Sequence, residues 1–377
     1  LLREERGALM ALKKEKETQT DTATWAADSP GISTDLQRTG VITEIRATVE
    51  VTPNATLASA NQPDGLFRVI QNLEIKGGPT YFTLPAHDGC EGGILLHYLN
   101  QVDGFGVGHR MGTIVAPQRT YTPATFILHA GSRPRDAYGR LNPFDLTAFI
   151  PAPREGRLRA IWVTSGSDVM DDIVTISSAI MRFTSAIVKG TEAEIQAEMA
   201  MQGVRLPPGV KWMQPEWMAE DFPHTATKSD YSEVRNPTLG AWLKRIAIIE
   251  QDATGDRGIR ATDEVTGISI KLPRESLTPV KVFCDQYLAN LPLATFLEAD
   301  DAALDFGGSA VAGIFVEDLR QYPGPNNPWG FDYGLNAVGL GVGDVQLLLT
   351  ITTYASGDHS GILYERLMPI PEGVAFA

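Results

Sequence analysis

The sequence predicts a mainly β protein: two consecutive antiparallel β-sandwiches, a few short helices and an N-terminal helix. Three observations lead there. Strand-like alternation runs over residues 40–190, stops at one well-marked helix, and restarts over residues 231–371. The 36 glycines and 24 prolines punctuate many short segments, which favours strands and turns over long helices. Equivalent stretches of the two halves lie roughly 200 residues apart, far beyond a solenoid repeat, so they read as a duplicated domain.

Composition sets the outer limits. A chain of 377 residues can form two domains, each with its own core. Hydrophobic residues at 43% and charged residues at 21% describe a folded chain. A net charge of −14 argues against gripping nucleic acid through the overall field. Cys90 and Cys284, one in each half, give no metal-ligand pair and no disulfide framework, and two lone thiols suit a reducing cytoplasm. No apolar run approaches the ~20 residues of a membrane span, and no secretory signal is read at the start.

Residues 1–17 read as a charged amphipathic helix. Leu2, Leu9 and Leu12 fall near one face and basic and acidic residues populate the others. It packs on its own protein or a neighbour, or else touches a membrane surface or adjacent subunit. Residues 18–33 read as an extended connector. Over residues 41–51, Val41, Thr43, Ile45, Ala47, Val49 and Val51 alternate with Glu44, Arg46, Thr48 and Glu50, the pattern of a half-buried strand. A second strand turns Phe67, Val69, Leu73 and Ile75 inward and Arg68, Asn72, Glu74 and Lys76 outward. Further strands are expected over 125–130, 146–150, 157–164 and 173–188. A short helix fits residues 94–100, with Gly92-Gly93 before it.

The break between the halves is a helix from Thr191. Its hydroxyl can accept from the Glu194 amide while the Glu194 carboxylate reaches back, a capping box. Gly203 is a natural stop, and Pro207-Pro208 forbids continuation. Trp212, Trp217 and Phe222 then lie between prolines, which reads as a strap anchoring irregular chain onto a core; a sugar-stacking site is the other reading. The second half offers strands over 239–250 (apolar on both faces), 268–272, 313–319, 345–353 and 362–368, and a helix over 278–290 with Thr278 as N-cap and Pro279 after it. In order along the chain, 40–51 matches 239–250, 72–76 matches 267–271, and 173–188 matches 345–354. Several short strands per half point to β-sandwiches or jelly rolls. The expected division is an arm and connector (1–35), a first jelly roll (36–190), a linker helix and strap (191–230), and a second jelly roll with a C-terminal tail (231–377).

No constellation carries chemistry, so no catalytic, cofactor-binding or metal residue is assigned. Gly104, Gly106, Gly108 and Gly112 lack the strand, helix and Gly-Lys-Ser/Thr of a nucleotide loop. Gly339, Gly341 and Gly343 read as a bulge or close backbone approach. His87, Asp88 and Cys90 crowd one turn without a second cluster. Asp358, His359 and Ser360 are the triad types side by side, whereas triad members converge from separate segments, so Gly357 and Gly361 mark a hairpin turn. Asp300, Asp301 and Asp305 lack the glycine of an EF-hand loop.

Three stretches carry a resemblance: residues 40–51 (GVITEIRATVEV), 63–77 (PDGLFRVIQNLEIKG) and 239–249 (LGAWLKRIAII). Together with the element order, they make residues 40–371 similar to the double jelly-roll major capsid proteins of tailless icosahedral viruses, notably bacteriophages with an internal membrane. The resemblance implies a non-enzymatic virion protein assembled in the host cytoplasm. It implies homotrimers with a nearly hexagonal footprint that tile a facet beside neighbouring capsomers, with penton and minor capsid proteins as further partners. Loops at 104–121, 131–142 and 322–334 would form towers and lock neighbours, and the arm at 1–17 would meet the inner membrane or an adjacent capsomer. Neither cofactor nor direct nucleic-acid binding is expected. Two other classes compete: a carbohydrate-binding or carbohydrate-active β-sandwich, supported by Trp212, Trp217 and the acidic loops, and a tailed-phage capsid fold, which needs a long spine helix absent after Glu17.

Overall fold

The computed structural model describes residues 12–20, 31–53, 65–85, 92–103, 105, 124–136, 138–165, 176–233, 241–251, 265–271, 280–283, 314–318, 320, 333–336, 346–351 and 355–370. Among these residues the first half has eight strands: β1 (Lys13–Thr20), β2 (Ile32–Asp35), β3 (Val41–Pro53), β4 (Ile70–Lys76), β5 (Thr80–Phe82), β6 (Ala124–His129), β7 (Arg159–Thr164) and β8 (Ile176–Lys189). They form two antiparallel sheets ordered β1-β8-β3-β6 and β2-β7-β4-β5. The second half contains β9 (Met213–Pro215), β10 (Met218–Pro223), β11 (Lys228–Glu233), β12 (Trp242–Gln251), β13 (Val265–Lys271), β14 (Val280–Phe283), β15 (Ile314–Asp318), β16 (Leu335–Asn336), β17 (Gln346–Ile351) and β18 (His359–Pro369). Its sheets run β10-β18-β12-β15, with β9 and β16 added at the side, and β11-β17-β13-β14.

Without β9 and β16, the second half repeats the first strand for strand and in the same chain order. In each half the first strand lies beside the eighth, the eighth beside the third and the third beside the sixth, opposite a sheet of strands two, seven, four and five. Two sheets linked in this crossing order make a jelly roll. The expected pairs 40–51 with 239–250 and 72–76 with 267–271 hold as β3/β12 and β4/β13. The third pair does not. β8 joins β3 whereas β17 joins β13, so the counterpart of β8 is β18 and that of β17 is β7. Apolar composition made the long β8 and β17 look alike, but sheet partners decide equivalence.

Register explains the first core. Ala47 faces Phe183, Val49 faces Met181 and Val51 faces Ala179, so these side chains share one side of their sheet. They enter one buried cluster with Leu73, Ile75, Ala160 and Trp162 of the other sheet. The second half is built differently. Ala247, opposite both Leu363 and Val316, joins the first half's cluster, as does Ile249. Ile246, Ile248, Ile362 and Tyr364 on the other face are buried too. β12 is therefore apolar on both faces, as its sequence suggested.

Among the described residues two α-helices interrupt the strands. α1 (Gly92–Val102) begins at the two glycines because neither leaves room for a Cβ: Gly93 lies against the Phe67 carbonyl and Gly92 against Leu84. α2 (Glu192–Met201) has the capping box, with the Glu194 amide donating to Thr191 and the Thr191 amide donating to Glu194.

Several expectations are corrected. The helix over 1–17 is a strand at Lys13–Thr20, paired with β8 from Lys13↔Lys189 to Thr20↔Arg182; residues 1–11 lie outside the described residues. Alternating Lys and Glu suit an edge strand, and Lys189 binds both Glu15 (2.5 Å) and Glu17 (3.1 Å). Part of the helix over 278–290 is β14, where Val-Lys-Val-Phe favours strand and covers the β13 edge; residues 284–290 are not described. The segment 146–150 is no strand. It is buried irregular chain held by Phe149 N–H to Met213 O (3.0 Å) and by mutual bonds between Ile42 and Ile150. Arg68, expected outward, is 1% exposed because residues 65–69 form a 3-10 turn rather than strand. The strap is not irregular: β9 and β10 pair with β18.

Strand direction assigns the loops to two ends. The start of β3 meets the ends of β6 and β8, and Asp35, Lys76 and Arg159 adjoin one another. The connections 36–40, 77–79 and 130–158 thus share one end, called the base here. Arg320, just after β15, lies at the base of the second half and beside that of the first, because Lys244 and Arg320 donate to the carbonyls of Gly131 and Ser132. Of the three loops expected to be towers, 131–142 follows β6 at this base, and 322–332 lies outside the described residues. The loop 104–121 lies outside the described residues except Phe105.

Candidate functional site

Nothing in the described residues resembles a reaction centre; what the structure builds is a polar seam between the halves. Its middle is Arg245 on β12, 2% exposed. One guanidinium nitrogen meets Asp103 just after α1 at 2.8 Å, and the other meets Glu365 on β18 at 2.5 Å. The neighbouring Lys244 reaches the second Glu365 oxygen at 3.1 Å and donates to the Gly131 carbonyl at 3.3 Å. Arg320 meets Asp103 at 3.3 Å and donates to the Ser132 carbonyl at 2.9 Å.

Two successive cations can serve one seam because the register slips between Leu243 and Arg245, a bulge that re-aims Lys244. Gly334, at φ +89°, lies against the Leu243 carbonyl where no Cβ fits. Burial opposes ionisation of Asp103, but Arg245, Arg320 and Lys244 hold its carboxyl well below the usual range. Burial also opposes the Arg245 charge, which Asp103 and Glu365 hold in place; for Lys244 burial wins and lowers its pKa.

A second buried network anchors the same loop from the first half. His129 lies 3.6 Å from Glu44 and 3.3 Å from Asp145. Asp145 accepts from the Arg133 amide (2.8 Å) and the Thr147 hydroxyl (2.7 Å), and the Ser132 amide donates to that hydroxyl (2.7 Å). Residues 131–133 are thus gripped by Asp145 and Thr147 from one side and by Lys244 and Arg320 from the other.

Burial opposes a charge on His129, yet the two carboxylates outweigh it and raise its pKa above 6.5; Glu44 and Asp145, also penalised by burial, are lowered chiefly by His129. Linkage fixes the pH dependence. The His129 contribution is complete below pH 6.5 and lost as pH rises through the raised value. The Glu44 and Asp145 contributions are complete above 4.5 and 3.8 and lost as pH falls through the lowered values. We expect the difference in melting temperature between wild type and His129→Gln to be largest at about pH 4.5–6.5 and to shrink on both sides. A pH-independent difference would show that His129 only fills space.

The remaining sequence candidates separate cleanly. Asp358, His359 and Ser360 are buried at 1%, 4% and 0% exposure. Ser360 bonds not to His359 but to His224 at 2.8 Å, and His359 contacts the Gly357 carbonyl at 3.1 Å. Burial lowers the His224 pKa to about 4. A serine sealed from solvent holds structure. The turn here joins β17 and β18, which lie in different sheets, so it is not a hairpin. Trp212 and Trp217 are 2% and 5% exposed and meet Phe149 and Phe82 edge-on, at 5.7 and 4.8 Å. Neither ring offers a sugar platform. The clusters at 87–90, 106–112, 300–305 and 339–343, and both cysteines, lie outside the described residues. Among the described residues no group of three or more His, Cys, Asp or Glu could hold a metal ion, and no helix is long and apolar enough to cross a membrane.

Sequence reading missed the seam, although a signal existed. Lys244 and Arg245 sit side by side in a strand apolar on both faces, and buried charges must find partners.

Comparisons with known proteins concern the fold. No family model matches the chain, and no curated protein matches it by sequence. Among solved structures it is similar to a chain from the atomic structure of Sulfolobus Turreted Icosahedral Virus, at 17% identity and TM-score 0.65, over 96% of this chain and 94% of that one. It is similar to the separately crystallised major capsid protein of that virus, at 15% identity and TM-score 0.58, over 94% and 97%. It is also similar to PBCV-1 VP54, at 13% identity and TM-score 0.54, over 96% of each chain. Similarity that spans whole chains at such low identity establishes a shared two-sandwich architecture.

Proposed function

We propose that this chain is the major capsid protein of an icosahedral virus. The observation that carries the reading is the strand-for-strand repetition of one jelly roll within a single polypeptide, with both bases on one side and a buried seam between them. Likeness over nearly the whole length of the major capsid protein of Sulfolobus Turreted Icosahedral Virus supports it. The role is structural and not catalytic. Two similar sandwiches side by side give one chain two sixths of a hexagonal outline, so three copies around a threefold axis close a pseudo-hexagonal capsomer. Each half is then an independent packing face, and the seam fixes the angle between the two. The chain's partners are copies of itself and, at the vertices and between facets, penton and minor capsid proteins; its place is the virion, after assembly in the host cytoplasm. Lys13–Thr20 is committed to a sheet, which leaves residues 1–11 of the expected arm to meet an internal membrane or a neighbouring capsomer.

Sedimentation and electron microscopy of the purified chain test this. The expected result is a stable trimer, with interfaces burying about 2,000 Å² or more, that forms closed shells or flat hexagonal arrays. A monomer at all concentrations, with no ordered assemblies, would overturn it.

A further inference from the structure

We propose that the hairpin over residues 133–142, at the base of the first half, is a docking knob for a second copy of this chain. The proposal rests on the capsid reading and specifies one contact between capsomers. Among the described residues only four large hydrophobic side chains are exposed, and Tyr138 is the most exposed, at 83%. Leu141 (39%) is on the same hairpin, and Met201 (74%) ends α2 beside it. Three hydrogen bonds join these elements: Arg133 to the Gly203 carbonyl (3.2 Å), Gln202 to the Phe144 carbonyl (3.0 Å), and the Leu146 amide to Gln202 (3.2 Å).

The knob is rigid before it meets anything. Asp136 accepts from the amides of Tyr138 and Arg140, both at 2.9 Å, and from the Arg140 guanidinium at 3.0 Å. Arg135 donates to the Gly139 carbonyl at 2.6 Å, and Gly139 turns the chain at φ +75°. The Arg140 guanidinium lies 5.1 Å from the centre of the Tyr138 ring. Tyrosine and arginine, held in place in advance, are the residue types that dominate interface energies.

Charge identifies the occupant. The hairpin carries Arg133, Arg135 and Arg140 against Asp136 alone, while the chain as a whole is at −14. The adjacent α2 carries Glu192, Glu194 and Glu198 and no basic residue; Lys211 pairs with Glu192 and Lys14 with Glu198, so Glu194, which caps the helix through Thr191, is the charge no cation offsets. A basic, aromatic knob next to an acidic helix ending in an exposed methionine is self-complementary. Two copies related by a twofold axis set each knob on the other's α2, so one contact is made twice. Ring edge against thioether supplies the apolar part.

Assembly of the full chain tests this with Tyr138→Ser and Arg140→Glu, and with Asp136→Ala, which loosens the knob while leaving its tip. Each variant should melt like wild type and still form trimers. The yield of shells or arrays should fall roughly tenfold or more for the first two and less for the third. If these variants assemble as well as wild type, the knob is not a contact. If instead their assembly is unchanged and they lose binding to phosphatidylserine vesicles, the knob serves an anionic lipid surface and the proposal is replaced. Failure of wild type itself to form trimers would count against the capsid reading, not against the knob alone.

Discussion

Arg245→Ala should destabilise the protein by about 3–5 kcal/mol, the usual effect of removing one member of a buried ion network. The arginine is 2% exposed and binds carboxylates from both halves, so its loss strands Asp103 and Glu365 away from water. Lys244 and Arg320 remain close, but each is already shared with a backbone carbonyl. Calorimetry is the suitable readout because two halves need not unfold together. Wild type should unfold in one main transition, and the variant earlier and in two. The control is Arg157→Ala, which breaks the Asp35–Arg157 pair (2.7 Å), where both side chains are more than half exposed. Such a pair contributes at most about 1 kcal/mol. Equal effects from the two substitutions would mean that the seam does not couple the halves.

Trp212→Ala should cost a similar amount, about 3–5 kcal/mol, by a different cause: a cavity that the surroundings cannot fill. The indole belongs to a buried cluster of Val41, Leu146, Phe149, Val188, Ile195, Met199 and Ile370. Those residues come from two strands of the first half, a buried irregular segment, α2 and the C-terminal end of the chain. The Trp212 carbonyl also accepts from the Ile370 amide at 2.9 Å. Chemical denaturation should show the lowered midpoint, and limited proteolysis should show faster cleavage near residues 203–212. Trp212→Phe, which keeps an aromatic ring, should recover a large part of the loss. If alanine and phenylalanine behave alike, packing at this position is loose.

What the sequence disclosed divides along the sheets. The central strands, β3, β4, β7, β8, β12, β13, β17 and β18, all have apolar alternation or long apolar runs, and all were expected. Edge strands were mostly hidden. Lys-Lys-Glu-Lys-Glu in β1, Met-Ala-Glu-Asp-Phe-Pro in β10 and the short β2, β5, β11 and β14 show little alternation of their own. Their conformation is dictated by the open backbone of a neighbour, information held elsewhere in the chain. Charge is also what an edge strand needs to resist unwanted pairing, so the residues that make β1 a good edge also make it read as a helix. The polar seam was hidden for a related reason. Arg245 and Asp103 are 142 positions apart, and only the arrangement of the halves brings them together.

Each sandwich places its opening strand beside its closing one, β1 along β8 and β10 along β18. A ribosome therefore releases the material for the first sandwich in full only when Lys189 has emerged, and for the second only when Pro369 has. Until then Asp103 waits, since both guanidinium groups that neutralise it, Arg245 and Arg320, are encoded downstream. An unfinished chain thus has an unneutralised carboxylate at its hinge and no seam to fix the angle between its parts, and long-range pairing makes its completion slow. On the capsid reading, a chain cut short of Pro369 would lack the shape that fits its neighbours and would stay out of the lattice.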